Sequence, residues 1–231
     1  MIGKRTGTGL VAMEREADKA YKLLRQRVVG GHYQPGTQLK EEPLARELGL
    51  SRTPVRTALK RLVEEGLATA NVGQGIRVAE WSEWDIEEMF QLRMLLEPHA
   101  ARLAAQRRTS DALDQLRFSN EQMAAAIAES GPDAISKVQD ANSRFHRTLL
   151  DNAGSPRLRA MLETIIDMPI IVRSFSLYTH TELEQSLHHH QDLTLAIEAG
   201  DGDLACQVMQ LHLKMSYLRF MRHRSEYRRV A

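Results

Sequence analysis

His146, His190 and His212 each fall on the apolar stripe of a different predicted helix, and Asn142 precedes the first of them by four residues. Neutral imidazole is a good ligand for divalent transition metals. Side chains at i and i+4 stack on one helix face, so Asn142 and His146 are presented together, beside Val138, Phe145 and Leu149. His190 shares its stripe with Leu183, Leu187, Leu193 and Ile197, and His212 shares one with Ala205, Val208 and Met209. A single inward histidine ordinarily makes a core hydrogen bond. Three buried together without partners would be costly, and a bound cation removes that cost. The set therefore predicts a divalent transition metal, zinc first, with nickel, iron or manganese next. With Asn142 as the fourth ligand, the cage offsets none of the dication's charge and should draw an anion. Arg93, on a stripe with Ile86 and Phe90, is also predicted to point inward. An inward arginine needs an anion. That anion is either an internal Asp or Glu, or a ligand carboxylate gripped by both arms of the guanidinium.

The elements that must position these residues are helical. Beyond residue 81 no strand pattern occurs. Breaks at Thr109-Ser110, Gly131-Pro132, Gly154-Ser155-Pro156, Thr179–Thr181 and Gly200-Asp201 carry cap or stop chemistry. They divide the remainder into six helices of roughly 20 residues, a bundle-like length. Ser82 with Asp85 is placed to cap the first. Pro98 and Pro169 fall inside helices and are expected to kink them.

The front of the chain differs. Residues 1–80 hold 14 Lys/Arg and 9 Asp/Glu, whereas residues 81–231 hold 17 and 21. A basic front on an acidic rear is the charge pattern of a nucleic-acid-binding head on a separate body. The predicted order is a helix from Ala17 to Val28, a short helix opened by Pro43 and closed by Gly49, and a third helix capped by Ser51. Two short strands in 67–79 then flank a glycine-bearing turn. This is the order of a winged helix-turn-helix. In the third helix Val55, Ala58, Leu59, Leu62 and Val63 form one stripe, and Thr53, Arg56, Thr57 and Lys60 lie mainly on the other side. Arg52 and Arg56 are four residues apart and suited to guanine edges or phosphates. Ser51, Thr53 and the backbone N–H groups at the helix start suit phosphate oxygens. Residues 1–14 are expected to be a mobile tail, 15–80 the DNA-binding domain, and 81–225 an all-helical domain for effector binding and dimerisation. Cys206 is the sole cysteine, so no intrachain disulfide can form. No apolar run approaches the ~20 residues of a membrane span, and the first residues lack the apolar core of a secretory signal.

The stretch 35–79, PGTQLKEEPLARELGLSRTPVRTALKRLVEEGLATANVGQGIRVA, closely resembles the winged helix of GntR-family bacterial transcription regulators. Its PG-x-x-L, LA-x-x-LGLSRTPVR-x-AL and EGL segments and the G-x-G wing carry the match. Thr57 departs from it, many members having Glu there. The resemblance implies that Arg52 and Arg56 touch DNA and that the Gly73–Gly75 wing tip reaches the minor groove. The rear resembles the all-helical FCD domain of the family's FadR-type branch, through LRMLLEPHAARLAA (92–105), NSRFH (142–146), HHQDLTLAI (189–197) and LHL (211–213). Six helices rather than seven suggest its metal-binding subgroup. The resemblance implies Asn142, His146, His190 and His212 as metal ligands and small organic acids as effectors. His188 and His189 are expected to be solvated or to support the ligands from outside.

The expectation is a mainly α protein that acts as a cytoplasmic bacterial regulator. It is a homodimer on double-stranded, near-palindromic operator DNA, repressing until a carboxylate metabolite binds, with no membrane partner. Three rivals are weighed. A helical metalloenzyme acting on a small carboxylic acid would use an open metal position, but no general base is well placed. A metal-free family member binding a long acyl-thioester does not explain the histidines. A purely structural metal would keep no position for a ligand.

Overall fold

The computed structural model describes residues 7–71, 73, 75–129, 133–166 and 174–230. They form two compact units that divide between Glu80 and Trp81.

In the first unit, α1 (Gly7–Val29) packs on α3 (Arg52–Glu64), and α2 (Glu41–Leu48) lies against α3. Ala20, Leu24 and Val28 of α1 meet Val55, Ala58, Leu59 and Leu62 of α3 in one core. These are the residues whose helical spacing predicted the two stripes. α1 starts at Gly7, so the tail expected over 1–14 is helical from that point. No proline interrupts residues 10–29, and Leu, Ala, Met, Glu and Arg favour helix there. Likewise α2 opens at Glu41, two residues before Pro43. Proline is tolerated in a first turn, where its missing N–H would have had no partner. Gly49 ends α2 with φ 64°, its N–H reaching the carbonyls of Ala45 and Arg46, as a left-handed glycine cap does. Strands β1 (Ala68–Asn71) and β2 (Gly75–Val78) pair antiparallel, Ala68 opposite Val78 and Asn71 opposite Gly75. Gln38 adds a single bridge to Arg77. Gly73 and Gly75 both have φ near +75°, a backbone state that an L side chain disfavours.

The second unit contains α4 (Glu83–Gln106), α5 (Ser110–Ala128), α6 (Ala134–Asn152), α7 (Pro156–Ile166), α8 (His180–Ala199) and α9 (Gly202–Val230). A 3₁₀ turn, Phe175–Leu177, precedes α8. The fourth of the six expected helices is thus described only over eleven residues, and Pro169 lies outside the described residues. Pro98 sits within α4 as expected. Ser82 and Asp85 form a complete capping box for α4, and Thr179 and Glu182 do the same for α8. Each box satisfies donors that a helix start leaves unpaired. α4 packs against α6, α7, α8 and α9. Its Ala100, Ala101, Ala104 and Ala105 are fully buried and join Phe145, Leu149, Leu193, Ile197, Met209 and Leu213 in the main core. Small side chains on α4 let the surrounding helices approach closely. Toward its N-terminus the same face of α4 exchanges alanines for Met89, Arg93 and Glu97, and polar groups enter the bundle there.

Candidate metal centre and DNA-contacting surface

His146 on α6, His190 on α8 and His212 on α9 converge. Their ring nitrogens offer one ligand atom each, all within 4.8 Å of one another, and all three residues are buried. Ring centroids stand 5.3 Å apart for His146 and His190, 5.3 Å for His146 and His212, and 4.8 Å for His190 and His212. Phe145 stacks flat on His190 at 4.1 Å and fixes the plane of that ring. Among these residues Asn142 Oδ1, His146 Nε2, both nitrogens of His190 and His212 Nδ1 are buried without a hydrogen-bond partner. Orphaned polar atoms of this kind are rare in a folded interior. Four of them are imidazole nitrogens of the three converging histidines, the donor set that a divalent cation takes. Burial, reinforced by the neighbouring histidines, holds His190 and His212 well below the ordinary imidazole range. Both are therefore neutral at pH 7, the form that ligates.

Glu97 was not picked out by sequence reasoning. It lies one turn after Arg93 on α4, and its Oε2 is 2.7 Å from His146 Nδ1 while Arg93 Nε donates to its Oε1. Burial pushes the Glu97 carboxyl up, but Arg93 and His146 together bring it down to about 2. The carboxylate takes up Nδ1 and turns the orphan Nε2 of His146 toward the other two rings. A carboxylate behind a ligating histidine fixes its tautomer and orientation. The signal was legible: Arg93 and Glu97 are i, i+4 on a stripe of apolar residues. Arg93 is inward as expected, but the anion it meets is Glu97, the internal partner that had been set against a ligand carboxylate. The pair is neutral as a whole, so it leaves a dication in the cage uncompensated. His188 is exposed, whereas His189 is buried with Nδ1 unpartnered; an adjacent residue on α8 turned inward where solvent had been an alternative.

On the head, Ser51, Arg52, Thr53, Arg56 and Gly73 are all exposed. Ser51 occupies the cap position of α3, yet its side chain makes no capping hydrogen bond. Arg52 and Arg56 are not idle. Glu41 accepts from Arg56 Nε and Nη2 at 2.7 and 2.9 Å and from Arg52 Nη2 at 3.2 Å. The hydrogen bonds and charges of these two arginines lower the Glu41 pKa. Sequence reasoning missed this clamp, because Glu41 is distant in sequence from the helix it serves. Exposed ion pairs are worth only about 0–1 kcal/mol, so a base edge or phosphate can displace this one.

A family profile described as "Bacterial regulatory proteins, gntR family" matches residues 16–78, and one described as "FCD domain" matches residues 88–215. The chain belongs to the GntR family. This GntR-family protein is 30% identical to a probable D-xylose utilization operon transcriptional repressor of Paenarthrobacter nicotinovorans, over 85% of each chain. It is 28% identical to the HTH-type transcriptional repressor GlaR of Escherichia coli, over 84% of this chain and 90% of that one. The solved structure of E. coli McbR/YncC superposes with a TM-score of 0.74 at 25% identity, covering 89% of this chain and 98% of that one. The GntR-family chain is accordingly a transcriptional regulator and not an enzyme. No helix among its described residues is long and apolar enough to cross a membrane.

Proposed function

We propose that this regulator is a metal-dependent sensor of a small organic acid, and a repressor whose hold on operator DNA that acid relieves. The observation that carries the reading is the convergence of His146, His190 and His212 with buried, unpartnered nitrogens on three helices. Asn142, His146, His190 and His212 would hold a divalent transition metal, zinc first. When bound, the metal supplies a Lewis-acid position for a carboxylate oxygen. Glu97 keeps His146 in the ligating tautomer, and Phe145 keeps His190 in plane. Arg93 holds Glu97 in place. It stands close to the centre and is not needed there as an open anion receptor.

The head reads DNA through Arg52 and Arg56, while Ser51, Thr53 and the Gly73 wing tip meet the backbone or minor groove. A homodimer on a near-palindromic operator is the arrangement that suits a winged helix with one reading helix per subunit. Effector occupancy then changes operator affinity through a coupling free energy of about 1–3 kcal/mol. The repressor names of two relatives support the sign of the response.

The test is direct. The purified protein is analysed for metal and then screened against carboxylic acids by thermal denaturation, since a ligand of the native state raises the melting temperature. Metal at one equivalent per chain, absent from a His190→Ala, His212→Ala double variant, supports the centre. A carboxylic acid that stabilises only the metal-loaded form supports the sensor. A protein that takes up no metal refutes both.

A further inference from the structure

Arg52 and Arg56 project from the start of α3, and their side chains are 61% and 54% exposed. Glu41, the first residue of α2, anchors both, with a side chain only 25% exposed. Arg56 meets it fork to fork, Nε on Oε1 at 2.7 Å and Nη2 on Oε2 at 2.9 Å. Oε2 also accepts from Arg52 Nη2 at 3.2 Å. A guanidinium carries five N–H donors in one plane. Glu41 takes the pair on the Nε edge of Arg56, so the outer hydrogen of Nη2 and both hydrogens of Nη1 stay open. That Nη1–Nη2 end of the fork is a match for guanine O6 and N7. The neighbouring Glu42 has no part in this. It pairs with Arg46 one turn on at 3.3 Å, both side chains being exposed.

A carboxylate on a DNA-reading surface has two opposite effects. It repels the phosphates of every duplex, whatever the sequence. It also orders the arginines it holds. An exposed arginine loses rotamer freedom when it settles on a base, and a fork already set in place has lost that freedom beforehand. A guanine at the open end of Arg56 therefore gains a pre-set receptor without breaking the contact to Glu41. An arginine that turns away to a phosphate must leave Glu41, and the bare carboxylate then stands in the negative field of the duplex. Glu41, Arg52 and Arg56 share one open concavity with Lys40 and the wing glycine Gly75, so the carboxylate sits among the groups that meet DNA. Specificity is a difference of affinities, and Glu41 acts on both sides of that difference.

We infer that Glu41 is a positioning residue that sets base specificity: it stays on Arg52 and Arg56 in the DNA complex, aims the open end of Arg56 at a guanine, and penalises duplexes that lack one there. This rests on Arg52 and Arg56 being the side chains that meet DNA. Duplexes bound by the full-length protein are first selected from a randomised pool. The selected operator, copies with single guanines changed to adenine, and a scrambled duplex are then titrated by fluorescence anisotropy at one salt concentration. The wild type should lose about 10- to 100-fold at one guanine of each half-site. Glu41→Gln should bind the operator about 10-fold more weakly and the scrambled duplex at least as tightly as the wild type does. It should lose most of the penalty at that guanine and keep the others. Glu42→Gln removes the same charge one residue away, and should tighten both duplexes alike with every penalty intact. Melting temperatures should stay near the wild-type value in both variants, because exposed ion pairs add little to stability. The inference is overturned if Glu41→Gln behaves as Glu42→Gln does, which would make Glu41 a mere repellent. It is also overturned if Glu41→Gln weakens operator and scrambled duplex equally, which would make Glu41 structural. Arg52→Ala and Arg56→Ala separate the two layers. If they lose guanine penalties that Glu41→Gln keeps, only the role of Glu41 falls; if they keep every penalty, the reading of the head falls and takes this inference with it.

Discussion

The carboxylate of Glu97 joins a cation and an imidazole in the interior: Arg93 on one oxygen, His146 on the other. Replacing it with Gln removes the charge that holds the tautomer of His146 and leaves Arg93 buried without an anion. Glu97→Gln should weaken metal binding about 10- to 100-fold and destabilise the fold by roughly 3–5 kcal/mol. Competitive chelator titration and urea denaturation read the two effects separately; unchanged metal affinity would show that Glu97 serves only Arg93. Asn142 offers a neutral oxygen where an aspartate would bring a charge. Asn142→Asp should therefore raise metal affinity by roughly one order of magnitude, and an unchanged or weaker affinity counts against Asn142 as a ligand. On the head, Arg56→Ala should cost about 1–3 kcal/mol of operator binding and relax sequence discrimination. Fluorescence anisotropy with specific and scrambled duplexes checks it, and intact specific binding would remove Arg56 from the reading surface.

Helices deliver these residues, and each helix start is built to hold its phase. The Thr179–Glu182 box anchors the first turn of α8, and His190 follows about three turns on. Thr179→Ala should lower stability by about 1 kcal/mol while leaving metal stoichiometry intact, because Leu183, Leu187, Leu193 and Ile197 still bury the face that carries His190. A lost metal site in a folded variant would mean that the cap, not the apolar stripe, sets the phase of α8. The stripes of α1, α3, α6, α8 and α9 were legible as 3.6-residue periodicity, since burial of one face is a local property of the sequence. Termini were less so. α1 runs ten residues ahead of its first predicted apolar contact, because helix propensity carries it beyond the packed core.

The whole molecule responds to pH and salt through charges that folding has moved. His190 and His212 resist protonation in the fold, whereas the unfolded chain takes up those protons near pH 6.5. Below that value the unfolded state binds more protons, so stability falls as pH falls. As pH falls from 6.5 to 5.5 the metal-free protein should lose roughly 1 kcal/mol for each of the two residues. Glu97 adds a second loss as pH drops from about 4.5 toward 2, the stability of its lowered pKa being present above that window. Thermal melts across pH 5–7.5 with chelator present measure the first slope; a flat profile would mean that the imidazoles ionise freely in the fold. DNA binding through a basic head should weaken steeply as salt rises.

The order of elements, the basic head on an acidic body and the three inward histidines are written in the sequence by itself, because periodicity, cap chemistry and charge are local. The partners of buried charges were decided only in three dimensions. Arg93 met Glu97 and not a ligand, and Glu41 reached across 15 residues to clamp Arg56. Helical spacing tells which face a side chain takes. What stands opposite that face depends on how the helices pack, and for a buried ion that neighbour determines whether the charge is already spent or still open to a ligand.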